Sequence, residues 1–148
     1  QALHCWQDAP IAGGRDLQAG GSWLAINQHT GRVATLTNVR DPYLITPPGA
    51  PSRGELVRQA LTCPDPEDWL EQLQHAAHHY AGFNLLVATP DTLWHMHRGR
   101  EKIALGRADE GIHVLSNADL NTPWPKALDL QEAMHADRHL LTIGHRQL

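Results

Sequence analysis

The sequence predicts an α+β domain with antiparallel sheets, and three observations carry that prediction. Its short apolar, β-branched runs come in neighbouring pairs joined by tight turns, the pattern of hairpins. Two stretches between those pairs carry helix-start chemistry and apolar residues at helical spacing. The strands are grouped before and after the helices instead of alternating with them singly, which argues against a doubly wound parallel sheet.

Taken in order, residues 1–20 read as an irregular entry, in which "AGGRDLQAGG" (12–21) supplies four glycines for tight backbone paths. "SWLAIN" (22–27) and "RVATLTN" (32–38) form a predicted hairpin across "QHTG", with Gly31 in the turn. "VRDPYLITPPGAP" (39–51) holds four prolines and reads as a loop. "SRGELVRQAL" (52–61) reads as a helix in which Ser52 and Glu55 stand at capping-box spacing. A second helix is predicted over 65–80, with Asp65 as N-cap, Pro66 in the first turn, and Trp69, Leu70, Leu73, Ala76, Ala77 and Tyr80 on the buried face. Four more strands follow at 83–88, 92–98, 102–106 and 111–117. A last helix spans 123–141, capped by Asn121 or Thr122.

A chain of 148 residues suits a single domain, 1–148, with a real core. Hydrophobic residues make up 41% and charged residues 19%, a globular balance. The net charge of -4 and the lack of Lys/Arg runs argue against nucleic acid as a partner. Cys5 and Cys63 form no CxxC pair, so a reducing compartment is the default. Apolar runs such as "FNLLVA" are too short to span a bilayer and no leader opens the chain, so a cytoplasmic protein is expected.

Five segments, "AGGRDLQAGGSWLAIN", "ATLTNVRDP", "SRGELV", "YAGFNLLV" and "VLSNADLNTPWPKAL", occur in the same order in one family. Through them the chain resembles the NRDE-motif (transport and Golgi organization protein 2-like) family from about residue 12 to residue 130. The resemblance implies an N-terminal-nucleophile-hydrolase-like αββα sandwich, two antiparallel sheets between helical layers. It also implies that a Met-Cys start and the Asn-Arg-Asp-Glu signature lie before Gln1, and that the family domain continues past the last residue, so this stretch is expected to be most of one domain. Cys5 has four residues before it and no free α-amine, so it is read as a packing or surface residue, as is Cys63.

Asn38 and Asn117 each follow an apolar run and precede a proline-containing loop. Strand-end asparagines resembling these serve as oxyanion donors in the cysteine amidases of that superfamily, although an Asn that merely caps a turn reads the same way. Arg15–Asp16 and Arg40–Asp41 read as loop ion pairs or as a pocket wall that holds a carboxylate. Among the 11 histidines, His75, His78 and His79 share a solvent-facing helix face, and no standard ligand spacing completes a closed metal site. His95 and His97 alternate on a strand and point to one side, in "LWHMHRG", where relatives carry other residues. With Trp94 and His113 they form an aromatic and histidine supply that could ligate heme iron, or simply a half-buried polar strand face.

Two classes of function follow. The preferred one is the intracellular binding and trafficking of heme or a similar amphipathic small molecule. The alternative is an N-terminal cysteine amidohydrolase acting on an acyl-amide, whose nucleophile is not in this stretch. Heme as cofactor rests on the resemblance.

Overall fold

A computed structural model describes residues 2–146, with side chains described through residue 136. Seven strands run in chain order across one antiparallel sheet: β1 (His4–Cys5), β2 (Ile11–Gly13), β3 (Leu24–Asn27), β4 (Val33–Asn38), β5 (Phe83–Ala88), β6 (Leu93–Arg98) and β7 (Ile103–Arg107). Helices α1 (Gly54–Thr62) and α2 (Pro66–Ala76) stand between β4 and β5, and α3 (Pro125–Arg146) closes the order. The α+β antiparallel architecture is thus as read from the sequence. Of the two sheets that the resemblance implies, the described residues contain one.

Register assigns the faces. Ala34, Leu36 and Asn38 of β4 stand opposite Val87, Leu85 and Phe83 of β5, which stand opposite Trp94, Met96 and Arg98 of β6. Period-two alternation sends these residues to one side, where all but Asn38 and Arg98 join Leu56, Val57, Ala60 and Leu61 of α1 and Leu70 and Leu73 of α2 in a single core. Each fully buried Leu or Phe there contributes about 1.5–3 kcal/mol. The other alternation class carries Ile26, Val33, Thr35, Thr37, Asn84, Leu86, His95 and His97, and neither α1 nor α2 covers that face.

The β3–β4 hairpin turns at Gly31, whose φ of 72° suits glycine. It also closes the C-terminus of α1, since Asn27 Nδ2 donates to Leu61 O (2.9 Å) and buried Arg32 Nη1 donates to Ala60 O (3.0 Å) and Cys63 O (2.7 Å). The second helix begins as its sequence implies: the Asp65 carboxylate accepts from the Glu67 and Asp68 amides, with Pro66 at the first helical position. Leu70, Leu73 and Ala77 are buried and Trp69 and Tyr80 half-buried, although the α-helix ends at Ala76 and a 3-10 turn carries the chain through His79.

Four expectations are corrected. The Ser52/Glu55 capping box does not form; the residue before α1 is Arg53, with no side-chain cap, and Glu55 pairs with Arg58 at 3.5 Å. Backbone contact decides the entry of α1 instead. Ser22 N donates to Gly54 O, and a Cβ on Gly21 would lie 2.4 Å from the Gly54 carbonyl carbon. Within 1–20, two short stretches pair as β1 and β2 rather than staying irregular. The run "GIHVLSN" (111–117) is a loop and not a strand, because its polar groups bond within the loop or to side chains: Val114 N donates to Asn121 Oδ1, Asn121 N to Val114 O, and Thr37 Oγ1 to Ser116 O. The final helix starts two residues later than expected, at Pro125, and the side chain of Asn121, at φ 60°, serves that loop turn.

Candidate functional site

Three neighbouring strands place Thr37, Asn84 and His97 in one row on the helix-free face, Asn84 lying opposite Thr37 on one side and His97 on the other. Asn84 is fully buried. Loop 115–122 arches over this row and is bonded down to it. Thr37 Oγ1 donates to Ser116 O (2.6 Å) and Asn84 Nδ2 to Ala118 O (2.5 Å). Because a carbonyl only accepts, the Asn84 nitrogen must face Ala118, so Asn84 Oδ1 faces His97 Nδ1 at 2.7 Å and accepts its proton. The neutral His97 ring therefore carries its lone pair on Nε2.

Asp119 hangs from the same loop, with its Oδ1 3.6 Å from His95 Nε2 and 4.0 Å from His97 Nδ1, and its Oδ2 3.4 Å from Lys102 Nζ. Burial lowers the pKa of both histidines, Asp119 opposes that shift, and the imidazoles are neutral near pH 7. Burial also raises the Asp119 carboxyl, but the Leu120 amide, His97 and Lys102 together hold it below the ordinary carboxylate value. His95 Nε2 is enclosed and, among the described residues, has no hydrogen-bond partner.

Asn38 and Asn117 are brought together, but through the main chain. Asn117 Nδ2 donates to the Asn38 carbonyl (2.9 Å) and Asn117 O accepts from Arg40 N (2.8 Å). One N–H of the Asn117 amide thus braces the end of β4. Beside it opens a polar cleft of about 430 Å³, lined by Arg40, Asp41, His97, Arg100, Asn117 and Asp119 among others, with Asn38 not in its wall. Arg40 and Asp41 do not pair with each other; Asp41 lies 3.7 Å from Arg100, which also stacks over Tyr43.

Arg15 and Asp16 are likewise no pair. Arg15 holds Asp8 through two 3.0 Å bonds, donates to Gly20 O and stacks on Trp6, while Asp16 caps its own turn by accepting from the Gln18 and Ala19 amides. Both border a second, larger depression of about 920 Å³ at the other end of the helix-free face. This trough is mostly apolar, with Leu3, Leu17, Trp23, Leu24, Ile26 and Val33 in its lining. Its β3 wall lies three strand spacings, roughly 14 Å, from β6 and its histidines.

Trp94 sits on the opposite face of β6 from His95 and His97, buried in the core with Arg107 stacked over it, and belongs to neither depression. His113 is tied into loop 109–121 by Asp109 O and Asn121. His75, His78 and His79 form no cluster able to hold a metal, and the described residues contain none of three or more such ligands. Sequence reasoning missed Asn84, Thr37, Asp119 and the trough. Asn84 left one trace, a polar residue inside the apolar run "FNLLVA", and "SWLAIN" left another, being apolar on both strand faces.

The sequence model of the family described as Transport and Golgi organisation 2 matches residues 1–140. The chain belongs to that family. Among curated members of the Transport and Golgi organisation 2 family, it is 37% identical to the Transport and Golgi organization protein 2 homolog of Bos taurus over 78% of this chain and 44% of that protein. It is 36% identical to the Transport and Golgi organization 2 homolog of Mus musculus over 80% of this chain and 45% of that protein. The Homo sapiens homolog gives 37% over 78% and 44%. The chain therefore spans less than half the length of these relatives. No helix among the described residues is long and apolar enough to cross a membrane.

Proposed function

We propose that this chain binds a flat, largely apolar small molecule of the heme class in the trough, as part of an intracellular carrier. The observation that carries the reading is the trough itself, apolar on a sheet face that neither α1 nor α2 covers and floored by Leu24, Ile26 and Val33 beside the Trp23 indole. A macrocycle has two apolar faces and a charged edge, and a shallow apolar floor takes one face while the edge stays in water.

The residues suit the macrocycle better than the iron. Among the described residues the trough lining offers no His, Cys or Met, His95 Nε2 is enclosed beneath Asp119, and His97 borders the polar cleft instead. When bound, heme would bring its redox and axial-ligand chemistry; the chain's part is to shield one face without holding the metal, which suits release. The hydrolytic alternative draws less support. One N–H of the Asn117 amide is engaged on Asn38 O, which leaves only the other to serve as an oxyanion donor.

Heme titration followed at the Soret band tests this. Wild type should give a saturable change, Ile26→Glu should weaken it at least tenfold, and the His95→Ala/His97→Ala double variant should stay within twofold of wild type. No saturable change in wild type would overturn the reading. Loss in the histidine variant with Ile26→Glu intact would move the ligand to the histidine pair.

A further inference from the structure

We propose that the polar cleft beside His97 is a second, separate binding site, for a small hydroxy acid, with Arg40 taking the carboxylate and His97 Nε2 accepting a hydrogen bond from the hydroxyl. Three observations converge on it. The cleft, at about 430 Å³, is of a size that takes small organic ligands and is walled by three different segments, the β4–α1 loop, the end of β6 and loop 115–122. Its acceptor is preset, because the chain of bonds from Ala118 O through the Asn84 amide to His97 Nδ1 leaves the Nε2 lone pair without a partner among the described residues. Gly99 keeps that ring edge clear: a Cβ there would lie 2.5 Å from His97 Nε2.

The charges around the cleft select the ligand. Asp41 is matched by Arg100 and Asp119 by Lys102, whereas the Arg40 side chain has no ion pair among the described residues. One cation stands ready for one carboxylate, since a guanidinium recognises that group through paired donors. A doubly charged anion such as phosphate would meet the Asp41 and Asp119 carboxylates in the same walls. A monoanion that also brings a donor for His97 meets all of these groups favourably. The trough is not involved, so this site stands or falls independently of the carrier reading.

The test uses protein labelled with 15N in histidine and titrated with lactate, lactamide and 2-methoxypropionate. In the free protein His97 Nδ1 should be the protonated nitrogen and Nε2 the bare one. Lactate should shift the His97 Nε2 resonance saturably. Lactamide, without the carboxylate, and 2-methoxypropionate, without the hydroxyl, should each bind at least fivefold more weakly. Arg40→Ala should weaken lactate at least fivefold and leave lactamide unchanged; it removes an exposed side chain and keeps the Arg40 N–Asn117 O bond, so folding is retained. A protonated Nε2 in the free protein, no saturable lactate shift, equal binding of the three compounds, or lactate binding indifferent to Arg40→Ala would each overturn the proposal.

Discussion

Replacing Asn84 with alanine removes at once the donor to Ala118 O and the acceptor for His97 Nδ1–H, both in the buried row beneath loop 115–122. Two stranded polar groups should destabilise the fold by about 2–4 kcal/mol, read as a lowered urea midpoint. An Asn84→Asp protein, which sets a second acceptor against the Ala118 carbonyl at this buried position, should lose at least as much. The histidines add a pH signature. Burial holds the pKa of His95 and His97 below the ordinary 6.5 in the folded protein, so on acidification the unfolded chain takes up protons first. Stability from this source is complete above that ordinary value and is lost as the pH falls through it toward the folded values. Denaturation free energies measured between about pH 7 and pH 5 should therefore decline in wild type and decline less in a His95→Gln/His97→Gln variant. Asp119, held below its ordinary 3.8, titrates in a lower window and does not confuse the result. At this scale the strand spacing of His95 and His97 was legible, since period two alone puts both on one face. The importance of Asn84 was not, because the carbonyl that fixes its amide lies 34 residues away, just past a run the sequence presents as a strand.

Helix starts show the same division between local and tertiary causes. The signal at α2 is local, an Asp carboxylate reaching amides two and three residues on, and the fold follows it. Asp65→Ala should cost about 1 kcal/mol, measured as a shift in thermal midpoint. At α1 an equally good local signal, Ser52 with Glu55, is overruled. The helix is set down where Gly21 and Gly54 let two backbones touch, and Arg53 Nη1 reaches Gly82 O at 2.7 Å. Gly21→Ala should therefore cost more than the loss of the Asp65 cap, about 1–3 kcal/mol, because the clash is with backbone that no rotamer can relieve. A smaller loss at Gly21 than at Asp65 would refute this account of the α1 entry. The 111–117 stretch misled for a related reason: its apolar residues look like a strand, but its carbonyls and amides bond to Thr37, Arg40 and Asn121.

Across the whole molecule, grouped hairpins and amphipathic helices were enough to read an antiparallel α+β sheet, because strand pairing here is sequential and the β3–β4, β5–β6 and β6–β7 turns are local. Alternation also marked the core face. What alternation could not report is distance along the other face, where residues that look like one site in sequence divide between an apolar trough at β3–β4 and a polar cleft at the end of β6. Arg15 and Asp16 border the first, Arg40, Asp41 and His97 the second, and Trp94 neither. The central claim is that a flat apolar ligand lies on the trough floor, and paramagnetic broadening by ferric heme tests it most directly, with zinc protoporphyrin as the diamagnetic reference. In methyl spectra, the signals of Leu24, Ile26 and Val33 should broaden most, and those of Leu86 and Leu93, next to the histidines on β5 and β6, much less. Broadening centred on Leu86, Leu93 and the His95 and His97 rings, with the trough methyls untouched, would contradict the account.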